Sequence, residues 1–254
     1  MEKKFRFSGV EKVCGSEPFN KVKKSHVLII GLGGVGSWVA EGLARSGVGE
    51  ITLVDPDSVC ETNINRQLLA VDSTVGQPKV KALGDRLRDI NPEIKIHTFE
   101  DFFCDDTAPE IFNTRYDYAF DGIDRLKNKL LFIDCCRDKE IPFLISGGAG
   151  GKFDATQVQV SDLGMSYRDK LLFRVRKKLK QQGKVKKGRK KTGIMCVFSP
   201  EETLYPTPEG TVSTSKQGLE IKKLDCHGSI GSFAPVTGTF GLMASGHIIK
   251  ELIK

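Results

Sequence analysis

The 254-residue sequence has no apolar run near the roughly 18 residues that a membrane span requires. Its start, Met1-Glu2-Lys3-Lys4, leads into no signal-peptide core, so a cytoplasmic location is expected. No two of its seven cysteines (Cys14, Cys60, Cys104, Cys135, Cys136, Cys196, Cys226) form a C-x-x-C pair, and their number is odd. Those two absences argue against a paired zinc ribbon and against a disulfide framework. There is no internal repeat. Charge is plentiful but uneven. Between Arg168 and Lys191, thirteen Lys or Arg stand against one acid, Asp169, in a chain of formal net charge +7. That segment carries the whole basic excess and points to a polyanionic partner.

Val27-Leu28-Ile29-Ile30 is an apolar run with three β-branched members, and it enters Gly31-Leu32-Gly33-Gly34-Val35-Gly36. Gly31, Gly33 and Gly36 fit G-x-G-x-x-G, with Gly34 as an additional glycine. Such a pattern reads as a buried parallel strand, a tight turn, and a helix whose free N–H groups aim at an anion. Asp55 ends a second strand, Ile51 to Val54, where a ribose-binding carboxylate belongs. The turn alone does not separate NAD from ATP.

Helical spacing continues through Val35, Val39, Leu43 and Ala44 up to Gly47. After a polar loop over 56–67, Gly76-Gln77-Pro78-Lys79 opens a helix whose buried face is Val80, Leu83, Leu87 and Ile90. Strands are expected over 94–99, 116–121, 141–145 and 156–160, with a helix over 125–138 and a second glycine cluster at Gly147 to Gly151. This order predicts a Rossmann-like α/β fold: a mostly parallel, doubly wound sheet with helices on both faces and a C-terminal extension. Beyond residue 161 the pattern loosens. The basic stretch is interrupted by Gly183, Gly188 and Gly193, so parts of it are expected to be mobile. A last helix carries Phe240, Met243, Ala244, Ile248 and Leu252 on one face.

Charge arithmetic decides between the nucleotides. ATP brings about four negative charges, against about half a positive charge at a helix N-terminus. More charge develops on the α-phosphate and departing pyrophosphate when a carboxylate attacks, so the site needs several cations and a carboxylate for Mg²⁺. Arg66, Lys79 and Asp124 follow successive sheet strands, whose loops converge on one edge. That favours ATP.

In these residues the chain resembles the ubiquitin-activating-enzyme-like superfamily, the fold shared by the bacterial ThiF and MoeB adenylyltransferases. The matching strings are Gly31 to Gly36, Asp55-Pro56-Asp57, Asn63-Ile64-Asn65-Arg66-Gln67, Gly76-Gln77-Pro78-Lys79 and Asp121-Gly122-Ile123-Asp124, in family order. The resemblance implies that Gly31, Gly33, Gly34 and Gly36 cradle phosphate, that Asp55, with Asp57 beside it, holds the ribose, and that Asn63 and Gln67 shape the pocket. It implies that Arg66 and Lys79 bind the outer phosphates and that Asp124 coordinates Mg²⁺, with Asp121 nearby. Arg66, Lys79 and Asp124 are then the catalytic candidates. It also implies a homodimer in which an N-terminal arginine, here Arg6, reaches the partner's ATP.

Within the superfamily the chain is similar to the tRNA threonylcarbamoyladenosine dehydratase branch. The similarity lies in Arg6-Phe7-Ser8-Gly9, Asp121 to Asp124 and Cys196-Val197-Phe198-Ser199. It implies adenylation of the threonyl carboxylate on the modified adenosine at position 37 of tRNA, then ring closure with net loss of water. The polyanion would be that tRNA, with Lys177, Lys178, Lys186 and Lys187 as phosphate-contact candidates. A sulfur-relay protein is a further candidate partner, a monovalent cation a further candidate ligand, and Cys226 a candidate accessory residue. The expected organisation is an N-terminal arm (1–24), an ATP-binding core (25–160) and a basic tRNA-binding segment with a C-terminal extension (161–254).

Other readings stay open at this point. Against tRNA contacts stands the reading of the basic run as a solvated face, against phosphate roles that of Arg66 and Lys79 as surface ion pairs, and against a metal role that of Asp124 as a helix cap; Asp121 and Cys226 also read as purely structural. For the whole chain, the alternatives are adenylation of a small ubiquitin-like sulfur carrier, or a non-catalytic tRNA-binding scaffold with a vestigial nucleotide site.

Overall fold

A computed structural model of the protein describes residues 5–186, 191–215 and 230–254. Among these residues, no helix is long and apolar enough to cross a membrane. The apolar run forms β1 (His26–Ile30), in which all five residues are buried. Such burial on both faces is what a central strand of a helix-covered parallel sheet requires. Beside it lie β2 (Glu50–Val54) and β3 (Lys95–Phe99) on one side. On the other side lie β4 (Tyr118–Asp121) and β5 (Phe143–Ser146), then β7 (Met195–Phe198) and β6 (Gln159–Asp162). The order is β3-β2-β1-β4-β5-β7-β6, all parallel except β6, which runs antiparallel to β7. A short two-stranded ribbon, β8 (Tyr205–Pro206) and β9 (Val212–Ser213), stands apart.

Helices close both faces. One carries α3 (Gly36–Arg45), α4 (Lys79–Ile90) and α8 (Ala234–Leu252), and its core includes Val39, Leu43, Leu83, Leu87, Phe240 and Ile248. The other carries α5 (Ala108–Ile111), α6 (Leu126–Asp138) and α7 (Lys170–Gln181), around Phe112, Phe132, Ile133, Leu172, Val175 and Leu179. The N-terminal arm supplies α1 (Ser8–Cys14) and α2 (Ser16–Lys24), and Phe19 and Val22 are its buried anchors. The doubly wound α/β architecture expected from the sequence is the one observed.

Three local features differ from expectation. The strand expected over 156–160 starts later, because Asp154 accepts a hydrogen bond from the Thr156 amide at 2.9 Å and folds Ala155–Gln157 into a 3₁₀ turn. Met195–Phe198, not expected as a strand, enters the sheet between β5 and β6. Much of the basic stretch forms a docked helix. Leu172, Val175 and Leu179 recur at helical spacing beneath its lysines, and Asp169 caps it by accepting from the Leu172 amide at 2.8 Å.

Helices α3 and α8 approach so closely that only glycine fits at their crossing. A Cβ at Gly241 would lie 2.4 Å from the Trp38 Cβ and 2.8 Å from the Val35 carbonyl oxygen. At Gly246, exposed on the same helix, a Cβ would meet nothing within 4 Å. Gly241→Ala is therefore expected to lower stability by about 1–3 kcal/mol through overpacking. Gly246→Ala is expected to raise it by about 0.5–1 kcal/mol through helix propensity. Urea denaturation of the two variants measures both signs, and equal effects would contradict the packing described.

Candidate functional site

The sheet changes winding direction between β1 and β4, and ligands in open α/β sheets bind in the crevice at such a point. The glycine turn after β1 lies in that crevice. Gly31 has φ 84°, and its backbone packs on Gly122 after β4, whose amide donates to the Ile30 carbonyl at 2.8 Å. A Cβ at Gly36 would sit 1.9 Å from the Gly31 carbonyl oxygen, so α3 starts directly against the turn. Among the described residues, the Gly33 and Gly34 amides donate to no protein acceptor. Such a cradle of free N–H groups, at a helix start, suits a phosphate.

Asp55 braces the turn from β2. Its carboxylate accepts from the Leu32 amide at 2.6 Å and from the Asp57 amide at 3.0 Å. Burial pushes its carboxyl pKa up, and the nearby Lys79 ammonium opposes that shift. The Lys79 side chain is itself buried at the start of α4. Its Nζ lies 2.7 Å from Asp57 Oδ2 and 3.7 Å from Asp55 Oδ1. The surface ion pair considered for Lys79 is thus a mostly buried one, beside the turn.

Arg66 comes from the polar loop, with its stem near Gly34: a Cβ built on Gly34 would lie 3.5 Å from the Arg66 Cγ. Its Nη1 donates to the Thr62 carbonyl at 2.6 Å and to Asn65 Oδ1 at 3.0 Å. The Arg66 carbonyl accepts from Trp38 Nε1 at 3.2 Å and from Thr237 Oγ1 at 3.1 Å. Trp38 and Thr237 are positioning residues that sequence reading missed, and Thr237 lies on α8, far along the chain. Asn63 Oδ1 accepts from the Cys60 amide at 3.1 Å, and the Asn63 carbonyl accepts from the Arg66 and Gln67 amides. Gln67 is buried, and its Oε1 has no hydrogen-bond partner among the described residues. A buried orphan acceptor of this kind fits a ligand donor.

Asp121 ends β4 fully buried, its Oδ2 2.5 Å from the equally buried Lys129 Nζ and its Oδ1 accepting from the Ile123 amide at 2.8 Å. Burial raises its pKa, against the pull of Lys129. The pair holds the turn that presents Asp124. Asp124 is exposed, and it is not a cap: the N-cap of α6 is Arg125, with no side-chain capping bond. Asp124 makes no hydrogen bond or ion pair among the described residues. At the second glycine cluster, the Gly148 amide donates to Asp169 Oδ2 at 2.9 Å and the Gly151 amide to the Gly231 carbonyl at 2.7 Å. Those two amides are committed to the protein.

Two groups of candidates lie elsewhere. Arg6 donates to the Ile90 carbonyl at 2.8 Å, at the far end of α4 from Lys79, about 16 Å along the helix. Lys177 and Lys178 are exposed on α7, with exposed Lys186 beyond it. Lys187 and Cys226 lie outside the described residues.

The ThiF family model matches residues 8–254. The chain belongs to the ThiF family. It is 40% identical over 250 residues to the tRNA threonylcarbamoyladenosine dehydratase of Escherichia coli, a match covering 98% of this chain and 93% of that protein. A solved structure of E. coli tRNA N6-threonylcarbamoyladenosine dehydratase in complex with ATP superposes with a TM-score of 0.85 at 38% identity, covering 97% of this chain and 93% of that one. The E. coli molybdopterin-synthase adenylyltransferase is 40% identical over 128 residues only, half of this chain. Likeness to that adenylyltransferase thus spans half of this chain, whereas likeness to the E. coli dehydratase spans 98% of it.

The buried Asp121–Lys129 pair gives a stability test. Lys129→Met is expected to destabilise the chain by about 3–5 kcal/mol, because it strands a buried carboxylate. Combining it with Asp121→Leu is expected to recover most of that loss, measured by urea denaturation. A double variant as unstable as the single one would contradict the pairing.

Proposed function

We propose that the protein is an ATP-dependent tRNA threonylcarbamoyladenosine dehydratase, which cyclises that modified adenosine at position 37. The observation that carries this reading is the convergence at one crevice of the free Gly33 and Gly34 amides, the Arg66 stem and the mostly buried Lys79. The full-length likeness to the dehydratases supports the substrate.

A carboxylate is a poor electrophile until one of its oxygens leaves as part of a better leaving group. In the proposed reaction a threonyl carboxylate oxygen attacks the α-phosphorus of ATP and displaces pyrophosphate, forming an acyl adenylate. The carbamoyl nitrogen or oxygen then attacks the activated carbonyl carbon, AMP departs with the former carboxylate oxygen, and a ring closes. The nucleophile is already attached, so high effective molarity replaces a strong protein nucleophile. Gly33 and Gly34 amides hold the α-phosphate, and Asp55 retains acceptor capacity for the ribose beyond its two amide bonds. Arg66 and Lys79 neutralise the charge that moves onto pyrophosphate. Asp124, exposed and uncapping, would hold Mg²⁺, which supplies further neutralisation of the phosphates.

We infer further that the enzyme acts as a homodimer in which Arg6 serves the second copy. Arg6 supports this by standing far along α4 from its own chain's Lys79. Helix α7 serves tRNA, with its apolar side docked and Lys177 and Lys178 turned to solvent.

Incubation with ATP, Mg²⁺ and tRNA bearing linear threonylcarbamoyladenosine is expected to yield a nucleoside lighter by one water in mass spectrometry. Arg66→Ala and Lys79→Ala are expected to abolish that product while circular dichroism shows an intact fold. AMP transfer to a sulfur-carrier C-terminus with no loss of water would contradict the reading. Lys→Glu replacements at Lys177, Lys178 and Lys186 are expected to weaken tRNA binding and to flatten its logarithmic salt dependence by about 0.7–0.9 per lost phosphate contact. Unchanged binding would make that face merely solvated.

A further inference from the structure

At the other end of the strands from the glycine turn, about 16 Å along β1, two imidazoles and a carboxylate converge. His26 opens β1 and Glu50 opens β2, directly paired in the sheet register, while His97 on β3 pairs with Thr52. Glu50 Oε1 lies 2.8 Å from His97 Nε2 and 3.6 Å from His26 Nδ1. One ligand atom from each residue lies within 4.8 Å of both others. Zinc–nitrogen and zinc–oxygen bonds near 2.1 Å put tetrahedral ligand atoms about 3.3 Å apart, a spacing that the two contacts of Glu50 bracket.

The surroundings suit a ligand role. His26 Nε2 lies 2.8 Å from Thr52 Oγ1, a contact that fixes the ring and leaves Nδ1 turned toward Glu50. Metal-bound histidines commonly engage their second nitrogen in this way. The His26 ring is further wedged against Tyr116, with ring centroids 4.7 Å apart. Glu50 is partly exposed and His97 half exposed, which leaves an approach path and room for water as a fourth ligand. Two nitrogens and one oxygen favour a first-row d-block cation over calcium or magnesium, which take oxygen.

We propose that His26 Nδ1, Glu50 Oε1 and His97 Nε2 form a site for a divalent d-block cation, Zn²⁺ foremost. The cation clasps edge strand β3 to β1 and β2. The site is separate from the nucleotide crevice and independent of the reading given above for it. In its absence Glu50 accepts from whichever His97 tautomer donates, and the Lys95 Nζ stands 3.9 Å from Glu50 Oε2.

The test uses the full chain, reduced and stripped with chelator, titrated with Zn²⁺ against a chromophoric competitor and separately with Co²⁺. The expected result is one tight equivalent of Zn²⁺ per chain, weakened roughly tenfold or more by His97→Ala and by Glu50→Gln. The Co²⁺ complex should show d–d absorption without a thiolate charge-transfer band, which separates this site from the cysteines without any variant. Hydrogen exchange of the β3 amides should slow on adding Zn²⁺ to the wild-type chain, and not in His97→Ala. Absence of tight binding, affinity unchanged in both variants, or a thiolate band would overturn the site. Binding without slower exchange in β3 would overturn the clasp.

Discussion

The contact between the Gly31 carbonyl oxygen and Gly36 governs the geometry of the crevice. A methyl group at Gly36 would stand 1.9 Å from that oxygen, so any other residue would push α3 off the turn. With α3 seated there, the turn can present Gly33 and Gly34 amides outward, and Gly31 can pack on Gly122 after β4. That second approach joins the two halves of the sheet at its switch point. It also fixes where the Asp121 turn, and hence Asp124, emerges. A backbone contact therefore sets the positions from which charged side chains act.

Those side chains form a layered charge arrangement. Asp55 is tied by two amides, so it is the rigid partner of Lys79. Asp57 touches the same ammonium at 2.7 Å, but its side chain is 60% exposed. Incoming phosphates would compete with Asp57 for Lys79, because Asp57 alone of the two carboxylates can turn into water. Lys79 thus waits as a neutralised, buried cation whose charge becomes available to a polyanion. Arg66 differs: its guanidinium bonds to a carbonyl and a side-chain amide, both neutral, and keeps its full charge. Both behaviours suit a leaving group that gains charge during reaction.

Much of this was legible in the sequence because the relevant signals are local. A β-branched run before clustered glycines announces a strand and a tight turn, and Asp55 follows at a spacing set by one βαβ unit. What was not legible depends on distant pairings. Trp38 and Thr237 hold the Arg66 carbonyl, and Thr237 stands 171 residues from it. Met195–Phe198 has no local mark that would assign it between β5 and β6. In α7 the lysines dominate the composition and hide Leu172, Val175 and Leu179, which dock the helix. His26, Glu50 and His97 come from three segments, and only the sheet register unites them.

In the proposed reaction the crevice activates a carboxylate by transferring AMP to it. The direct measurement is a single turnover with ¹⁸O placed in the threonyl carboxylate of the modified tRNA, followed by mass spectrometry of the released nucleotide and phosphate. Adenylate formation is expected to leave one ¹⁸O atom in AMP and none in pyrophosphate or inorganic phosphate. Label in inorganic phosphate, with ADP as the nucleotide product, would mean an acyl phosphate and would contradict it.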